Sequence, residues 1–127
     1  MTDNAPITMD QLLALLDAFN NHDLDTIVDG FTDDGLFILA SGADGEGTRF
    51  QGKEDIREAL EGRFAAVPDI CWSEGKHWIM DNKALSEWRV TGTLPNGDAL
   101  DCLGCDLWEF EGGKVSKKDT YYKQVIS

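Results

Sequence analysis

Asp106 lies between Cys105 and Leu107 in a segment, DALDCLGCDLWEFEGGKV (98–115), that otherwise reads as an apolar β-strand running into a turn. Side chains alternate between faces along a strand. Asp106 therefore shares a face with Cys102, Gly104, Trp108 and Phe110, while Leu103, Cys105 and Leu107 take the other. Neither face has a solvated composition. Desolvation penalises the charged form of a carboxyl group, so at least one acid in such a setting is expected to titrate above its ordinary range.

The preceding segment, ALSEWRVTGTL (84–94), is a second strand, and Asn96-Gly97 between the two is the strongest hairpin signal in the chain. A two-residue loop there places Thr91 opposite Cys102, Arg89 opposite Gly104, Glu87 opposite Asp106 and Leu85 opposite Trp108. Facing carboxyls are tolerated when they share a proton or a cation. Arg89, one diagonal step away beside the space left by Gly104, supplies that cation. Acids with separated pKa values give and take protons near neutral pH. Glu87 and Asp106 are thus the candidate acid–base pair, with Arg89 holding the deprotonated partner or an anionic intermediate. An ion-pair network, structural or at a subunit contact, is the competing use of the same residues.

The last strand, VSKKDTYYKQVI (115–126), follows Gly112-Gly113. A two-residue turn puts Lys117, Asp119 and Tyr121 on the Asp106 face, and a three-residue turn puts Lys118, Thr120 and Tyr122 there. Each set contains a Lys and a Tyr, so periodicity leaves the choice open. A phenol on that face donates to a substrate oxygen. His22 is expected to be exposed between helices, and His77 to be structural. Cys102 and Cys105, three apart on a strand, point to opposite faces and do not form a metal or redox motif. All three cysteines read as buried small apolar residues. No metal-ligand or dinucleotide pattern appears, and no cofactor is expected.

Thr8 and Gln11 form a capping box that opens a helix over 8–20, with Met9, Leu12, Leu16 and Phe19 as its stripe. Asp23 caps a second helix bearing Leu24, Ile27, Val28 and Phe31, with TDDG as its end. LFILA is a short strand, and 41–52 is a Gly-rich surface loop that could cover a pocket. Its spacing is not a phosphate-loop pattern, and Asp44 and Glu46 repel phosphate. A third helix over 53–66 carries Ile56, Leu60 and Phe64. Four antiparallel strands follow. The order gives an α+β fold with helices on one face of a curved sheet.

The 127 residues suit one domain spanning the chain, and 42% apolar content supports a core. A net charge of −13 argues against nucleic acid and against anionic membrane surfaces. The N-terminus lacks a basic region and a long apolar run, which makes a cytoplasmic location the expectation.

This order, with the phrases FNNHDLDTIVDGFTDDGLF, FQGKEDIREAL, LSEWRVTGTLPNGDALDCLGCDLWEFEGGKV and KDTYYK, resembles the nuclear transport factor 2-like superfamily. That group includes ketosteroid isomerase, SnoaL-like polyketide cyclases and limonene epoxide hydrolase. The resemblance implies a cone, in which a curved antiparallel sheet of four to six strands and three N-terminal helices enclose a pocket, as in the cystatin-like α+β barrel. It also implies a homodimer. By the same resemblance Asp106 matches the protonated oxyanion-hole Asp of ketosteroid isomerase. Glu87, Arg89 and Thr91 fall on the pocket wall, and Thr120 and Tyr122 on the pocket side. Leu15 stands where the isomerase has its oxyanion tyrosine and Leu39 where it has its base. Steroid isomerisation is therefore not expected. The epoxide hydrolase triad does not transfer either, because Glu87 and Arg89 appear in reversed sign and Thr120 takes the third place.

The expectation is cofactor-independent proton chemistry (isomerisation, dehydration, cyclisation or epoxide opening) on a small hydrophobic or carbonyl-bearing molecule. Asp106, Glu87, Arg89 and Tyr122 form the catalytic group, and Leu15, Phe19, Leu39, Thr91, Trp108 and Thr120 the binding walls. A non-catalytic ligand-binding or dimeric interaction module on the same fold is the alternative. Asp106→Asn is expected to abolish turnover at little cost in stability.

Overall fold

A computed structural model describes residues 6–126. Helix α1 (Met9–Asn20) opens on the capping box: the Thr8 hydroxyl accepts from the Gln11 N–H at 3.1 Å, and the Gln11 side-chain oxygen accepts from the Thr8 N–H at 2.8 Å. Helix α2 (Leu24–Asp29) is capped by Asp23 and stops two residues short of the end of its apolar stripe. Phe31 does not extend it. It opens strand β1 (Phe31–Ile38), and the TDDG segment lies inside that strand. The cause is long-range: β1 runs parallel to the last strand, Phe31 opposite Val115, and the Val115 N–H donates to the Gly30 carbonyl. A short β2 (Arg49–Gln51) pairs with the end of β1, and α3 (Lys53–Ala66) follows.

Strands β3 (Cys71–Met80), β4 (Lys83–Thr93), β5 (Ala99–Glu111) and β6 (Lys114–Tyr122) form an antiparallel meander. The six-stranded sheet has the order β2-β1-β6-β5-β4-β3 and is curved but unclosed. The helices cover its inner face. Leu12, Phe19, Ile27, Ile56 and Leu60 pack there against Phe31, Phe37, Trp108, Phe110 and Val115. Full burial of one such side chain stabilises the fold by about 1.5–3 kcal/mol.

Three local irregularities decide which side chains face inward. The first corrects the β4–β5 register. Leu94 and Asp98 close the hairpin around Pro95, Asn96 and Gly97, with Gly97 at φ 92°. Pro95 has no N–H to offer a cross-strand partner, but its fixed φ suits the first corner of a turn. Gly97 takes the left-handed position that ends a three-residue loop. Ser86, not Glu87, is therefore opposite Asp106, Glu87 faces Cys105, and Trp88 faces Gly104. The one-residue slip reverses the whole strand. Ser86, Trp88 and Val90 point inward, and Glu87, Arg89 and Thr91 point outward.

The second lies in β6. Gly112 and Gly113, at φ 60° and 80°, form a two-residue turn with Glu111 opposite Lys114. One step later the pairing shifts from Phe110–Val115 to Glu109–Lys117, leaving Ser116 as an extra residue. A two-residue turn followed by a bulge thus produces the inward set Lys118, Thr120 and Tyr122. The third is a bulge between Ser73 and Lys76, with Glu74 at φ 56°. It turns His77 and Ile79 inward and leaves Trp78 and Met80 on the outer face with Leu103, Leu107 and Tyr121, all exposed.

Candidate functional site

Helix α3, the end of β1 and the inner faces of β5 and β6 enclose a cavity of about 440 Å³. Phe19, Phe37, Leu39, Phe50, Trp72 and Leu100 make its apolar walls, and Arg63, Lys118, Thr120 and Tyr122 supply polar groups.

Asp106 sits one layer behind Lys118 and Thr120 and is 2% exposed. Three donors converge on it. The Trp88 indole N–H reaches Oδ2 at 3.0 Å, the Thr120 hydroxyl donates to Oδ1 at 2.6 Å, and the Lys118 ammonium lies 3.0 Å from Oδ1. Lys118 also donates to the Thr120 hydroxyl at 2.8 Å. An indole N–H only donates, so Oδ2 acts as an acceptor here. The ammonium rests near the rings of Phe37, Phe19 and Trp108, 4.7, 5.1 and 5.6 Å from their centroids. Counter-charge, hydrogen bonds and aromatic faces together offset the desolvation of a buried ion pair.

A second polar chain runs below the first. The Trp108 N–H donates to Ser86 Oγ at 3.2 Å, and Ser86 Oγ lies 3.0 Å from His77 Nδ1. Burial pulls the His77 pKa below its ordinary 6.5. The unfolded chain then binds more protons than the folded one just below pH 6.5, so stability falls as pH drops from there to the folded pKa and levels off beneath it. His77→Gln is expected to flatten that slope, read from urea midpoints of both proteins across the range.

Tyr122 packs edge-on against Trp88, their ring centroids 5.6 Å apart. Burial pushes its phenol upward, with the nearby Arg63 opposing, so the hydroxyl remains protonated at neutral pH. Arg63 donates to the phenol oxygen at 3.4 Å. The Tyr122 proton has no acceptor among the described residues and is available to the cavity.

Of the residues picked out by sequence, Phe19, Leu39, Thr120 and Tyr122 line this cavity, with Asp106 directly behind. Glu87, Arg89 and Thr91 do not join them. Glu87 is exposed on the outer face, and Thr91 stands opposite Asp101. Arg89 donates to Asp101 at 2.7 Å, and this contact raises its pKa. Trp108 is a floor beneath Lys118, and Leu15 packs on the core without lining the cavity. His22 is half-buried, stacked on Phe64 at 4.2 Å and bonded to the Ile70 carbonyl at 2.8 Å. Cys71 is exposed and Cys105 only partly buried, leaving Cys102 as the buried cysteine.

Arg63 escaped the sequence reading, although a signal existed. It falls three residues after Leu60 and seven after Ile56, in line with the apolar stripe of α3. Periodicity leaves Lys118 and Lys117 as alternatives, and no motif singles out Trp88.

Three helices over the inner face of a curved, six-stranded sheet, with a cavity between them, are the architecture of the nuclear transport factor 2-like superfamily. Within it, residues 12–118 match the SnoaL-like domain, and the chain belongs to that family. A protein assigned as a polyketide cyclase from Xanthomonas campestris pv. campestris superposes with a TM-score of 0.79 at 18% identity, over 90% of this chain and 88% of that one. A phenazine biosynthesis-related protein from Pseudomonas aeruginosa gives 0.77 at 18%, over 90% and 80%. A protein with a ketosteroid isomerase-like fold from Catenulispora acidiphila, solved with trimethylamine, gives 0.78 at 16%, over 91% and 87%. At these identities the likeness establishes the fold. Among curated proteins nothing matches the chain.

Proposed function

We propose that the cavity binds a small, mostly apolar carbonyl compound and moves a proton on it without a cofactor, chemistry of the cyclase or isomerase kind. The observation that carries this reading is the convergence of a protonated phenol, Tyr122, and a hydroxyl–carboxylate pair, Thr120 and Asp106, on one apolar cavity. Tyr122 donates to the carbonyl oxygen and stabilises the negative charge that develops there. The proton leaving the α-carbon passes to Thr120 Oγ1 as the Thr120 proton crosses the 2.6 Å contact to Asp106. A carbon–hydrogen bond breaks, an oxygen–hydrogen bond forms, and the carboxyl group ends protonated. Lys118, still an ammonium, balances the enolate. Return of the proton to another carbon completes an isomerisation, and attack of the enolate on a second carbonyl completes a ring closure.

Deuterium incorporation α to the carbonyl of 2-tetralone in D2O, followed by NMR, tests this. The wild-type protein is expected to accelerate exchange, and Thr120→Val to lose the acceleration by about a hundredfold or more. A second reading, a ligand-binding protein without chemistry, is favoured by the saturation of Asp106 by three donors. Tetralone binding that quenches tryptophan fluorescence without any gain in exchange would establish it.

A further inference from the structure

The chain carries 24 acidic side chains and four arginines. Three of the arginines are matched to carboxylates: Arg49 to Glu46 at 3.6 Å, Arg57 to Asp25 at 2.7 Å and Arg89 to Asp101 at 2.7 Å. Arg63 pairs with no carboxylate among the described residues. It is also the arginine that lines the cavity.

Its one side-chain hydrogen bond among the described residues, to Tyr122 at 3.4 Å, is long and leaves most of the guanidinium fork unspent. Helix α3 carries Glu54, Asp55, Glu58 and Glu61, yet none of them reaches Arg63. Its place in the last turn of α3, near unsatisfied carbonyls, favours a cation without occupying the fork. The other charges at the cavity, Lys118 and Asp106, cancel one another. The net charge offered to a ligand is therefore that of Arg63, in a protein whose overall charge of −13 would repel anions without a specific contact.

We infer that the ligand carries a carboxylate, held by Arg63, on an aromatic or alicyclic body that fills the apolar remainder of the cavity. This rests on the proposed use of the cavity and names its substrate class, a small carbonyl-bearing monocarboxylate. A planar guanidinium takes a carboxylate bidentately, and the low-polarity walls of Phe50, Trp72, Leu94 and Leu100 strengthen that contact relative to water. Tyr122, beside the fork, remains free to donate to the reacting carbonyl.

Isothermal titration with 1-naphthoate and its neutral isostere 1-naphthamide separates charge from shape. The wild-type protein is expected to bind naphthoate about tenfold or more tightly than naphthamide, the strength of one charge-assisted bidentate contact. Arg63→Gln is expected to bring the two within about twofold. Arg63→Lys keeps the charge without the fork and should retain part of the preference, which preserves the test should the glutamine variant fold poorly. Equal affinities in the wild type, a preference that survives Arg63→Gln, or no naphthoate binding would each overturn the inference. Tetralone exchange without carboxylate preference would remove this inference and leave the proton-transfer reading standing. A carboxylate preference without exchange would do the reverse.

Discussion

Asp106→Asn is expected to lower the free energy of unfolding by about 3 kcal/mol, the usual cost of removing one partner from a buried ion pair, and to end α-proton exchange in the cavity. Both carboxylate oxygens accept, one from Trp88 and the other from Thr120 and Lys118. An asparagine amide must turn its NH2 group toward one of these donor sets. Lys118 meanwhile stays 5% exposed among Phe19, Phe37 and Trp108 without a counter-charge. The expectation from sequence is a small loss of stability, with Glu87 and Arg89 as the charged neighbours of Asp106. The structure instead gives Asp106 a buried lysine to neutralise. Urea denaturation measures the loss. The pair Asp106→Leu with Lys118→Met is expected to recover most of it, since hydrocarbon often replaces a buried ion pair at no net cost. A single variant as stable as the wild type would mean that water reaches this corner freely.

Gly104→Ala is expected to cost about 2 kcal/mol, the middle of the range for overpacking, and to slow exchange as well. A Cβ at Gly104 would sit 2.5 Å from the Tyr121 carbonyl oxygen and 2.7–2.8 Å from the Trp88 ring. The carbonyl belongs to the β5–β6 ladder and cannot retreat without opening it. The indole must therefore swing, which withdraws its N–H from Asp106. The urea midpoint and the Trp88 contribution to near-ultraviolet circular dichroism should change together. A variant that keeps both would show that Trp88 does not lie across Gly104.

Much of this architecture was legible from local chemistry. The Thr8–Gln11 box set the start of α1, the stripe of Ile56 and Leu60 marked α3, and the four long strands followed from their turns. Asp106 stood out because a carboxyl group on an apolar strand needs a partner. The identity of that partner was not legible. It depended on Pro95 occupying a turn corner and on an unpaired Ser116, and each of these shifts every side chain downstream by one face. Pairings between distant segments were equally hidden. Nothing near Phe31 announces Val115, and nothing near His22 announces the Ile70 carbonyl. The short β2 and the parallel placement of β1 escaped for the same reason.

Strand β6 encodes two walls in a single run of letters, KKDTYY. With Ser116 bulged out of the ladder, the cavity meets an ammonium, a threonine hydroxyl and a phenol. Were the bulge absorbed, with Ser116 paired opposite Glu109, the frame would shift and turn Lys117, Asp119 and Tyr121 toward the ligand. A carboxylate would then stand at the surface of the cavity where a hydroxyl stands now. Absorbing that one bulge into the ladder would rewrite the chemistry of the pocket more deeply than most substitutions, while the hydrocarbon walls contributed by the helices stayed as they are.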